Sequence, residues 1–597
     1  MSEQPVFNRR HSGAHILAAA LTELYGDVKL GVGPVVENGF YYDVLAPKTL
    51  TEEDLPKIEQ KMREIIDRDD AFRREELSIE DAVKLFESKG QAFKVELLRD
   101  LKEKGTTKVN AEESLDIGGG AMNASVYHTG SFVDLCRGPH VDHSKEIGGA
   151  FALTKLAGAY WRGSERNPQL QRVYGILFST KEELDAHLKM QEEAKKRDHR
   201  KLGKELDLFH LAEEVGPGLP LFYPKGAWLR RTVEDLIMRR QEARGYQAIW
   251  IPHITKGHLY EISGHLQKYD AMYPPMSLKD EADYYLKPMN CPHFMMLYKS
   301  QPHSYRDLPV RWVCTTTNYR YEKSGELSGL TRVRSLTQDD CHVFTTPEGI
   351  RAEIDLVLDM VGDVYRIFGF KDFKVRVSVH DPAKPEAYIG DKEIWSQSEA
   401  TLKELITARG WEHEIGVGEA AFYGPKLDFI FKDAIGRPWQ LSTIQLDMNL
   451  PNRFDLEYVA ADGSKKRPVV IHRAILGSTE RFLGILIEHF AGAFPLWLAP
   501  EQIRIATVAD AFVLHANKLA DELRAAGLRV WVDASPEKVG KKIRAAAMMK
   551  VPWTVVIGEK ETGGGDLHVK VFGEEGEKVI PAGTFVDETV RLAQPPK

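Results

Sequence analysis

The stretch from Trp312 to Phe344 constrains the fold more than any other part of the chain. Two runs with strand character, Trp312–Tyr321 and Arg332–Phe344, flank a polar, glycine-containing loop from Glu322 to Leu330. Two such runs joined by a long polar connection are typical of an antiparallel hairpin. The sequence therefore predicts a hairpin around which the rest of the chain is arranged.

One face of this hairpin is predicted to be polar. Side chains alternate between the two faces of a strand. Each arm then places polar residues on one face, namely Asn318, Arg320 and Glu322 on the first arm and Gln338, Asp340 and His342 on the second. Such a face is unstable against an apolar core unless it meets a charged ligand or its own partners. A solvated face is the alternative, because antiparallel sheets often expose one side.

Two other stretches favour a ligand over a solvated face. Residues Pro468–Phe490 read as an apolar strand that passes through a Gly-Ser pair into an amphipathic helix, with Arg481 in its first turn. Residues Pro224–Ile254 read as a long helix followed by a short strand that holds Pro252. Taken in chain order, these stretches and the hairpin resemble motifs one, two and three of class II aminoacyl-tRNA synthetases.

Further segments narrow the resemblance. TQDDCH, FYGPKLD, TIQLD and HRAILGSTERF are similar to the corresponding segments of threonyl-tRNA synthetases. Together with the N-terminal motifs described below, the resemblance covers almost the whole chain. It implies ATP-dependent activation of threonine, transfer to the 3′ end of threonine tRNA, and hydrolysis of mischarged seryl-tRNA.

The composition limits the other function classes. A chain of 597 residues is expected to form roughly three or four domains. The net charge of -8 means that a nucleic acid must be met by local basic patches. Four cysteines without close spacing favour a reducing compartment. The polar start MSEQPVFNRRHS and the lack of an apolar run of about 20 residues predict a cytoplasmic protein without a leader or a membrane span.

The resemblance implies a multidomain architecture that combines α+β and α/β folds. The expected parts are an editing domain at residues 1–178, a helical linker at 179–204, a class II catalytic domain with an antiparallel sheet at 205–497, and an α/β anticodon-binding domain at 500–597. The ubiquitin-like module that often precedes the editing domain is expected to be absent, since the first histidine motif begins at residue 11. The linker is dense in alternating charge, which predicts a solvated helix whose lysines either contact tRNA or only face water.

The N-terminal segment contains a set of potential ligands. His11 and His15 are four residues apart and share one helical face, and Cys136 and His140 have the same spacing. These residue types suffice for a zinc site. The resemblance instead implies a metal-free hydrolytic pocket that also contains Lys94, with Asp134 orienting one of the histidines. A polar helix face beside a loop cysteine is the remaining alternative.

A metal site in the catalytic segment follows only from the resemblance. Cys291, His342 and His472 lie too far apart in sequence to indicate a metal by spacing. They match the positions of one Cys and two His that hold the active-site zinc of the family. Cys341 is expected to point to the opposite face of its strand. His293 is expected at the surface or behind the ligands.

The resemblance also assigns roles around the activated amino acid. Arg320 is expected to hold the α-phosphate of ATP and Arg481 the γ-phosphate region, with magnesium bound to ATP. Glu322 is expected to contact the adenine or organise the loop, and His265 to assist transfer. The matching substrate-pocket residues are Gln338, Asp340, Tyr423, Lys426 and Gln445. Motif one also implies a homodimer.

The C-terminal segment has a different pattern. Ile503–Val508, Arg529–Val532 and Trp553–Ile557 read as parallel strands with helices between them. This segment resembles the anticodon-binding domain of class II synthetases. A basic cluster suits phosphate contacts, unless it only forms a solvated helix face; its members are Lys538, Lys541, Lys542 and Arg544. Glu537 and Arg544 are the residues expected to contact bases.

Two alternative functions remain open at this point. A non-catalytic RNA-binding protein on the same scaffold would have little reason to keep Arg320, Arg481 and the zinc-type ligands together. A seryl or prolyl synthetase is opposed by the N-terminal motifs, by Asp340 and by the Cys-His-His set. Threonine-dependent pyrophosphate exchange separates all three functions.

Overall fold

The computed structural model describes residues 4–104, 123–279, 281–370, 373–433 and 436–596. The chain divides into two compact units, Met1–Glu192 and Glu193–Lys597, called here the N-terminal unit and the C-terminal unit. None of the described helices has both the length and the apolar surface that a membrane crossing requires.

The N-terminal unit combines helices with two antiparallel sheets. Its helices are α1 Gln4–Tyr25, α2 Leu55–Asp67, α3 Ile79–Ser88, α4 Ala92–Lys104 and the start of α5 Lys181–Arg197. Its strands are β1 Lys29–Leu30, β2 Val35–Val36, β3 Gly39–Leu45, β4 Phe72–Ser78, β5 Asn123–Thr129, β6 Phe132–Leu135, β7 Phe151–Tyr160 and β8 Gln169–Leu177. One sheet has the order β1-β3-β8-β7 with β2 beside β3, and the other has the order β4-β5-β6.

Helix α1 forms the centre of this unit. It is buried without interruption from His11 to Leu21, because the run of Ala and Leu is apolar on every side and a helix of that kind packs inside a core. The cluster that surrounds it includes Ile58 of α2 and Phe40 of β3. The two histidines of α1 are therefore held in a protein interior and not in a solvated face.

The C-terminal unit is larger and begins within α5. Its further helices are α6 His199–Glu205, α7 Pro224–Glu242, α8 His258–Ser263, α9 His265–Lys268, α10 Cys291–Lys299, α11 Ile350–Phe368, α12 Lys392–Ala408, α13 Leu450–Arg453, α14 Thr479–His489, α15 Val513–Ala525, α16 Val539–Met548, α17 Glu559–Thr562 and α18 Phe585–Leu592. Its strands up to residue 500 are β9 Phe209–His210, β10 Leu221–Phe222, β11 Gln247–Ala248, β12 Ile254–Lys256, β13 Tyr284–Leu286, β14 Val310–Tyr319, β15 Ser335–Thr345, β16 Phe373–Val379, β17 His413–Val417, β18 Lys426–Lys432, β19 Pro438–Asp447, β20 Tyr458–Val459, β21 Lys465–Lys466 and β22 Val469–Ala474.

The main sheet of this unit has the order β11-β14-β15-β22-β19-β18-β16-β17 and is antiparallel at its centre. Helices α7, α11 and α14 cover one face, where Cys341 and Val343 of β15 join the apolar core. Because side chains alternate along a strand, the neighbouring even-numbered residues of β15 point to the opposite face. The predicted polar face is therefore the face opposite these three helices, where α10 covers part of the sheet through Phe294 against His342 and Tyr298 against Phe344.

The predicted hairpin is confirmed. Strands β14 and β15 pair in antiparallel register, with Trp312 opposite His342 and Thr316 opposite Gln338. On the polar face, the Asn318 side chain donates a hydrogen bond to Gln338 across the pair at 2.7 Å.

The last part of the unit is the predicted α/β fold with an addition. Strands β23 Ile503–Thr507, β24 Val530–Asp533 and β25 Trp553–Ile557 are parallel, as predicted. Two further strands, β26 Leu567–Val571 and β27 Lys578–Ile580, extend the sheet in antiparallel fashion.

Two predicted elements are wrong. Pro252 lies between β11 and β12 and not in a strand, which fits its missing backbone donor. The single solvated linker helix is instead two helices, α5 and α6, because Asp198 interrupts the run and caps α6 by accepting a hydrogen bond from the Arg200 amide at 2.8 Å. The second helix is also less solvated than predicted, since His199 and Leu202 are buried.

Candidate active site and metal centre

Three potential metal ligands converge on the face of the main sheet against which α10 packs. Cys291 is the first residue of α10, and His342 and His472 lie directly opposite each other on β15 and β22. Their ligand atoms all lie within 4.8 Å of one another. The family resemblance, and not the spacing in the sequence, predicted that these three side chains come together, and this convergence is confirmed.

The polar atoms of these side chains are poorly satisfied by the protein itself. Among the described residues, both ring nitrogens of His342 and the Nδ1 atom of His472 have no hydrogen-bond partner. The other nitrogen of His472, Nε2, lies 2.9 Å from an Asp447 carboxylate oxygen, which fixes the ring and leaves Nδ1 facing the cluster. Burial lowers the pKa of His342 well below its usual value, so its imidazole is neutral. The pKa of His472 moves the other way: burial lowers it, but Cys291 and the Asp447 carboxylate outweigh burial and raise it to about 10. One thiol and two imidazoles with unused nitrogens are suited to a zinc ion, which would take the place of the His472 proton.

Two nearby residues lie outside this set. Cys341 is fully buried in the apolar core on the other face, as predicted. His293 is 8 % exposed and therefore not a surface residue, and its ring nitrogens have no partner among the described residues. Burial lowers its pKa to about 4.

A pocket beside the three ligands contains most of the predicted substrate residues. The predicted residues that line it are Cys291, Arg320, Gln338, Asp340, Tyr423, Gln445 and His472. The Tyr423 hydroxyl donates a hydrogen bond to Gln445 at 2.6 Å. Lys426 is not among the lining residues, and its ammonium donates to Asp428 at 2.6 Å. The pocket thus combines acceptors, an arginine and the candidate metal centre.

Asp340 is held by residues that the sequence analysis missed. The Asn290 amide donates to Asp340 at 2.8 Å, and the buried Lys287 ammonium donates to the Asn290 oxygen at 2.9 Å. Because an ammonium group can only donate, Lys287 fixes which end of the Asn290 amide faces Asp340. Burial raises the pKa of Asp340 and lowers that of Lys287 to about 8. Their position in KPMNCPHF, next to Cys291, was the available signal.

Of the two predicted phosphate-binding arginines, Arg320 lines this pocket, and Arg481 is not among the lining residues but lies near enough to Arg320 to interact with its charge. Arg320 donates to the Pro288 carbonyl at 3.3 Å, and Arg481 donates to the Thr331 carbonyl at 2.9 Å. Burial and then the positive charges of Arg320 and Arg332 lower the pKa of Arg481. Glu322 pairs with Arg332 at 2.9 Å. Clustered guanidinium groups of this kind are suited to a polyanion, which would relieve their repulsion.

His265 is deeply buried. Its Nδ1 atom lies 2.7 Å from the Ser263 hydroxyl, and its Nε2 atom lies 3.1 Å from the Met289 sulfur. Burial, followed by the charges of His472 and Arg320, lowers its pKa to about 3. The imidazole is therefore neutral and borders the same pocket through Met289.

The N-terminal unit contains the second Cys-His cluster. The ligand atoms of His11, His15, Cys136 and His140 lie within 4.8 Å of one another. The Cys136 sulfur lies 3.2 Å from His11 Nε2 and 3.3 Å from His140 Nε2. Burial raises the pKa of Cys136 to about 12, so the thiol keeps its proton.

The outer nitrogens of two of these histidines are also engaged. His11 Nδ1 donates to the Pro139 carbonyl at 3.1 Å, and His140 Nδ1 lies 3.0 Å from the Ser12 hydroxyl. Because His11 Nδ1 carries the proton, its Nε2 is free to accept from the Cys136 thiol. His15 differs, since its Nδ1 has no partner among the described residues.

Lys94 and Asp134 form a buried pair beside this cluster. The Lys94 ammonium lies 2.6 Å from one Asp134 oxygen, and the Tyr42 hydroxyl donates to the other. His15 Nε2 is 3.7 Å from Asp134, which is beyond a normal hydrogen bond. Asp134 therefore orients Lys94 and Tyr42 more directly than a histidine. Tyr42 was missed because its partner lies 92 residues away.

The predicted anticodon contacts divide into exposed and buried groups. Glu537, Lys538, Lys541 and Arg544 are exposed, the first two just before α16 and the other two within it. Glu537 pairs with Lys541 at 2.6 Å. Lys542 is only 3 % exposed and donates to the Thr507 carbonyl at 2.9 Å, so its inclusion in a phosphate-binding cluster is wrong.

Three family descriptions match separate parts of the chain. The family description "tRNA synthetase class II core domain (G, H, P, S and T)" matches residues 276–490, "Anticodon binding domain" matches 502–591, and "Threonyl and Alanyl tRNA synthetase second additional domain" matches 124–174.

Individual relatives agree with these matches. The threonine–tRNA ligase of Rubrobacter xylanophilus is 48% identical over 96% of this chain and 86% of its own length. Threonine–tRNA ligase 1 of Bacillus subtilis is 46% identical over 99% of this chain and 90% of its own length. A crystal structure titled as the RNA binding domain of threonyl-tRNA synthetase from Cryptosporidium parvum superposes with a TM-score of 0.64 at 34% identity, covering 67% of this chain and 99% of that one.

Proposed function

The chain belongs to the threonine–tRNA ligase family, and from this premise we propose that it activates threonine with ATP, transfers it to threonine tRNA, and hydrolyses seryl-tRNA in its N-terminal unit. The observation that carries the proposal is the shared pocket of Cys291, His472, Asp340 and Arg320. Metal ligands, an acceptor for a hydroxyl group and a cation for phosphate thus border one cavity.

Zinc is the metal that fits the three ligands best. Cys291, His342 and His472 would hold it, with Asp447 fixing the ring of His472. When bound, zinc would supply a Lewis acid that the amino and hydroxyl groups of threonine can coordinate. Asp340 is then the acceptor for the hydroxyl proton, and valine, which lacks this hydroxyl, leaves a buried acceptor unpaired. Such a loss rejects an analogue by a factor on the order of ten thousand.

The arginines serve the first chemical step. The threonine carboxylate attacks the α-phosphorus of ATP, and pyrophosphate leaves with its magnesium ion. Arg320 is proposed to hold the α-phosphate and Arg481 the γ-phosphate region, because guanidinium groups grip phosphate in a bidentate manner and stay charged. Their contribution is positioning and charge stabilisation in the transition state.

The remaining catalytic assignments concern the nucleotide and the transfer step. Glu322 is proposed to order the loop through its ion pair with Arg332. His265, as a neutral imidazole next to Met289, is proposed to assist transfer to the terminal ribose. Gln338 of β15 and Gln445 of β19, two strands that flank β22, are proposed to orient the substrate.

The N-terminal unit is proposed to edit without a metal. Serine is smaller than threonine by one methyl group, which is worth only about 10 to 200-fold in selection. Neutral His11, His15 and His140 can orient or deprotonate a water, and Lys94 supplies a cation for the ester oxygen. A zinc ion on the same four donor atoms is the competing candidate, since those atoms converge as closely as the ones in the C-terminal unit.

Other parts of the assignment concern partners and surroundings. The anticodon-binding domain is proposed to bind the tRNA through Lys538 and Arg544, with Glu537 and Arg544 near the bases. A homodimer through α7 and β11 and a cytoplasmic location are proposed on the family premise. The proposed domains remain residues 1–178, 179–204, 205–497 and 500–597.

The proposal is tested by pyrophosphate exchange with threonine, serine and valine. Threonine is expected to support exchange, serine to support it about 10 to 200-fold less well, and valine to be nearly inert. A preference for serine or proline, or exchange without any amino-acid dependence, would contradict the assignment.

A further inference from the structure

A buried histidine outside the pocket connects the start of α6 to the loop between β14 and β15. His199 is only 3 % exposed. Its Nδ1 atom lies 2.7 Å from an oxygen of Glu488 in α14, and its Nε2 atom accepts a hydrogen bond from the Leu330 amide at 3.0 Å. One imidazole therefore bridges a helix and a loop that are more than a hundred residues from it in sequence.

The two hydrogen bonds fix the protonation of the ring. A backbone amide can only donate, so Nε2 is without a proton, and Nδ1 carries the proton that is donated to Glu488. Glu488 in turn accepts a hydrogen bond from the His199 amide at 3.1 Å and pairs with Arg437. The carboxylate is thus held from two sides, and the ring has one orientation.

The loop approaches His199 very closely. Gly329 has a φ of +49°, and a Cβ atom at this position would lie 2.1 Å from His199 Nε2. Leu330 is fully buried. Only a glycine lets the loop pass directly over the imidazole, so the contact is built into the return arm of the loop, residues 328–332.

The return arm continues into the proposed nucleotide site. The Thr331 carbonyl accepts a hydrogen bond from Arg481 at 2.9 Å, and Arg332 pairs with Glu322 at 2.9 Å. The residues after Leu330 therefore contact both Arg481 and Glu322. A shift of the return arm would move an acceptor that holds Arg481 and a cation that holds Glu322.

We propose that His199 is a positioning residue for ATP, which acts by anchoring the return arm at Leu330 and thereby setting Arg481 and Glu322. This inference rests on the proposed roles of Arg481 and Glu322 toward the nucleotide. It predicts that loss of the Nε2 contact weakens the use of ATP and leaves the use of threonine nearly intact. Within the described parts of the chain, the side-chain hydrogen bonds of Asp340, Tyr423 and Gln445 go to Asn290 and to each other and not to the return arm.

Two substitutions separate the two contacts of the ring. In His199→Asn the amide nitrogen can replace Nδ1 and keep the hydrogen bond to Glu488, but the shorter side chain has no acceptor that reaches the Leu330 amide. In His199→Gln the amide oxygen can replace Nε2 and accept from Leu330. Both variants remove the imidazole from the same core position, so a merely structural role would affect them alike.

The measurement is pyrophosphate exchange at varied ATP and at varied threonine, with the melting temperature as the control for folding. His199→Asn is expected to raise the KM for ATP about fivefold to tenfold, the cost of one buried hydrogen bond, with a change of less than about twofold for threonine. His199→Gln is expected to recover most of this loss. Seryl-tRNA hydrolysis is expected to be the same in both variants.

A third variant covers the case in which neither replacement folds. Gly329→Ala pushes the return arm away from an intact His199 and is expected to show the same selective rise in the KM for ATP. Equal KM values for ATP in the Asn and Gln variants, or an equal loss toward ATP and threonine, would overturn the inference. Wild-type protein without threonine-dependent exchange would instead overturn the proposed function itself.

Discussion

The chain contains two clusters of cysteine and histidine, and they differ in how their polar atoms are satisfied. In the N-terminal unit, the Cys136 thiol lies between His11 and His140, whose outer nitrogens contact Pro139 and Ser12. In the C-terminal unit, His342 has no partner for either nitrogen among the described residues, and one nitrogen of His472 also lacks one.

For metal binding, this difference in hydrogen bonding matters more than the residue types, which the two clusters share. Buried polar atoms are costly unless they are paired. Among the described residues, His15 Nδ1 is the one buried ring nitrogen of the N-terminal cluster without a partner, against three ring nitrogens in the C-terminal cluster, so the C-terminal cluster gains more from a metal. Both clusters have donor atoms within 4.8 Å of one another. The comparison therefore predicts a metal in the C-terminal cluster and a hydrogen-bonded, water-activating site in the N-terminal one.

The largest expected effect is a loss of threonine activation in the C-terminal unit that leaves seryl-tRNA hydrolysis in the N-terminal unit unchanged. Arg320→Ala and Arg481→Ala are each expected to fold and to lose threonine activation by about a thousandfold or more, because they stabilise transition-state charge. Pyrophosphate exchange measures this loss. Seryl-tRNA hydrolysis should continue, and the exposed Lys196→Ala serves as the control. Near-normal exchange in either arginine variant would break the assignment.

The next effect tests the N-terminal cluster. Replacement of both His11 and His15 by Ala removes the groups that orient or deprotonate the water, and seryl-tRNA hydrolysis is expected to fall about a hundredfold or more. Release of serine from pre-charged tRNA measures it, and threonine activation should be retained. His143→Ala, an exposed histidine of the same unit, is the matched control. Unchanged hydrolysis in the double variant would remove the cluster from the reaction.

A smaller effect concerns the groups that hold Asp340. Asn290→Ala deprives Asp340 of a buried donor, and the KM for threonine is expected to rise about tenfold, with the KM for ATP little changed. The exposed Asn452→Ala is the control for loss of an amide. If the two variants behave alike in exchange assays, Asn290 does not orient Asp340.

The smallest expected effect concerns tRNA binding by the anticodon-binding domain. Lys538→Ala is expected to raise the KM for tRNA in aminoacylation about twofold to threefold and to reduce the slope of binding against salt by about one. Threonine activation, which needs no tRNA, should not change. Lys542→Ala is the informative partner, because its buried ammonium should affect the melting temperature and not the salt slope. A reversed pattern would restore Lys542 to the phosphate-binding cluster.

Much of the fold could be predicted from local pattern. The polar face of the hairpin follows from the alternation of side chains between the two faces of a strand, which also places Cys341 and His342 on opposite faces. The break at Asp198 could have been found, since Asp is a favoured N-cap residue. Pro252 should have argued against a strand, because proline removes a ladder donor.

The contacts that complete the sites could not be predicted in the same way. Tyr42 reaches Asp134 across 92 residues, and Asp447 reaches His472 across 25. The spacing of Lys542 within α16 suggests a surface lysine, yet the helix packs so that this position faces Thr507. Such contacts depend on tertiary packing, which local sequence pattern does not contain.

The central claim, that only the cluster with the unpaired nitrogens of His342 and His472 holds a metal, is tested most directly by measuring bound zinc per chain. Wild-type protein and the His11→Ala, His15→Ala double variant are each expected to contain one zinc, and Cys291→Ser is expected to contain almost none. Two zinc ions in wild-type protein, with one lost in the double variant, would contradict the comparison. So would a Cys291→Ser variant that keeps both its zinc and its threonine activation.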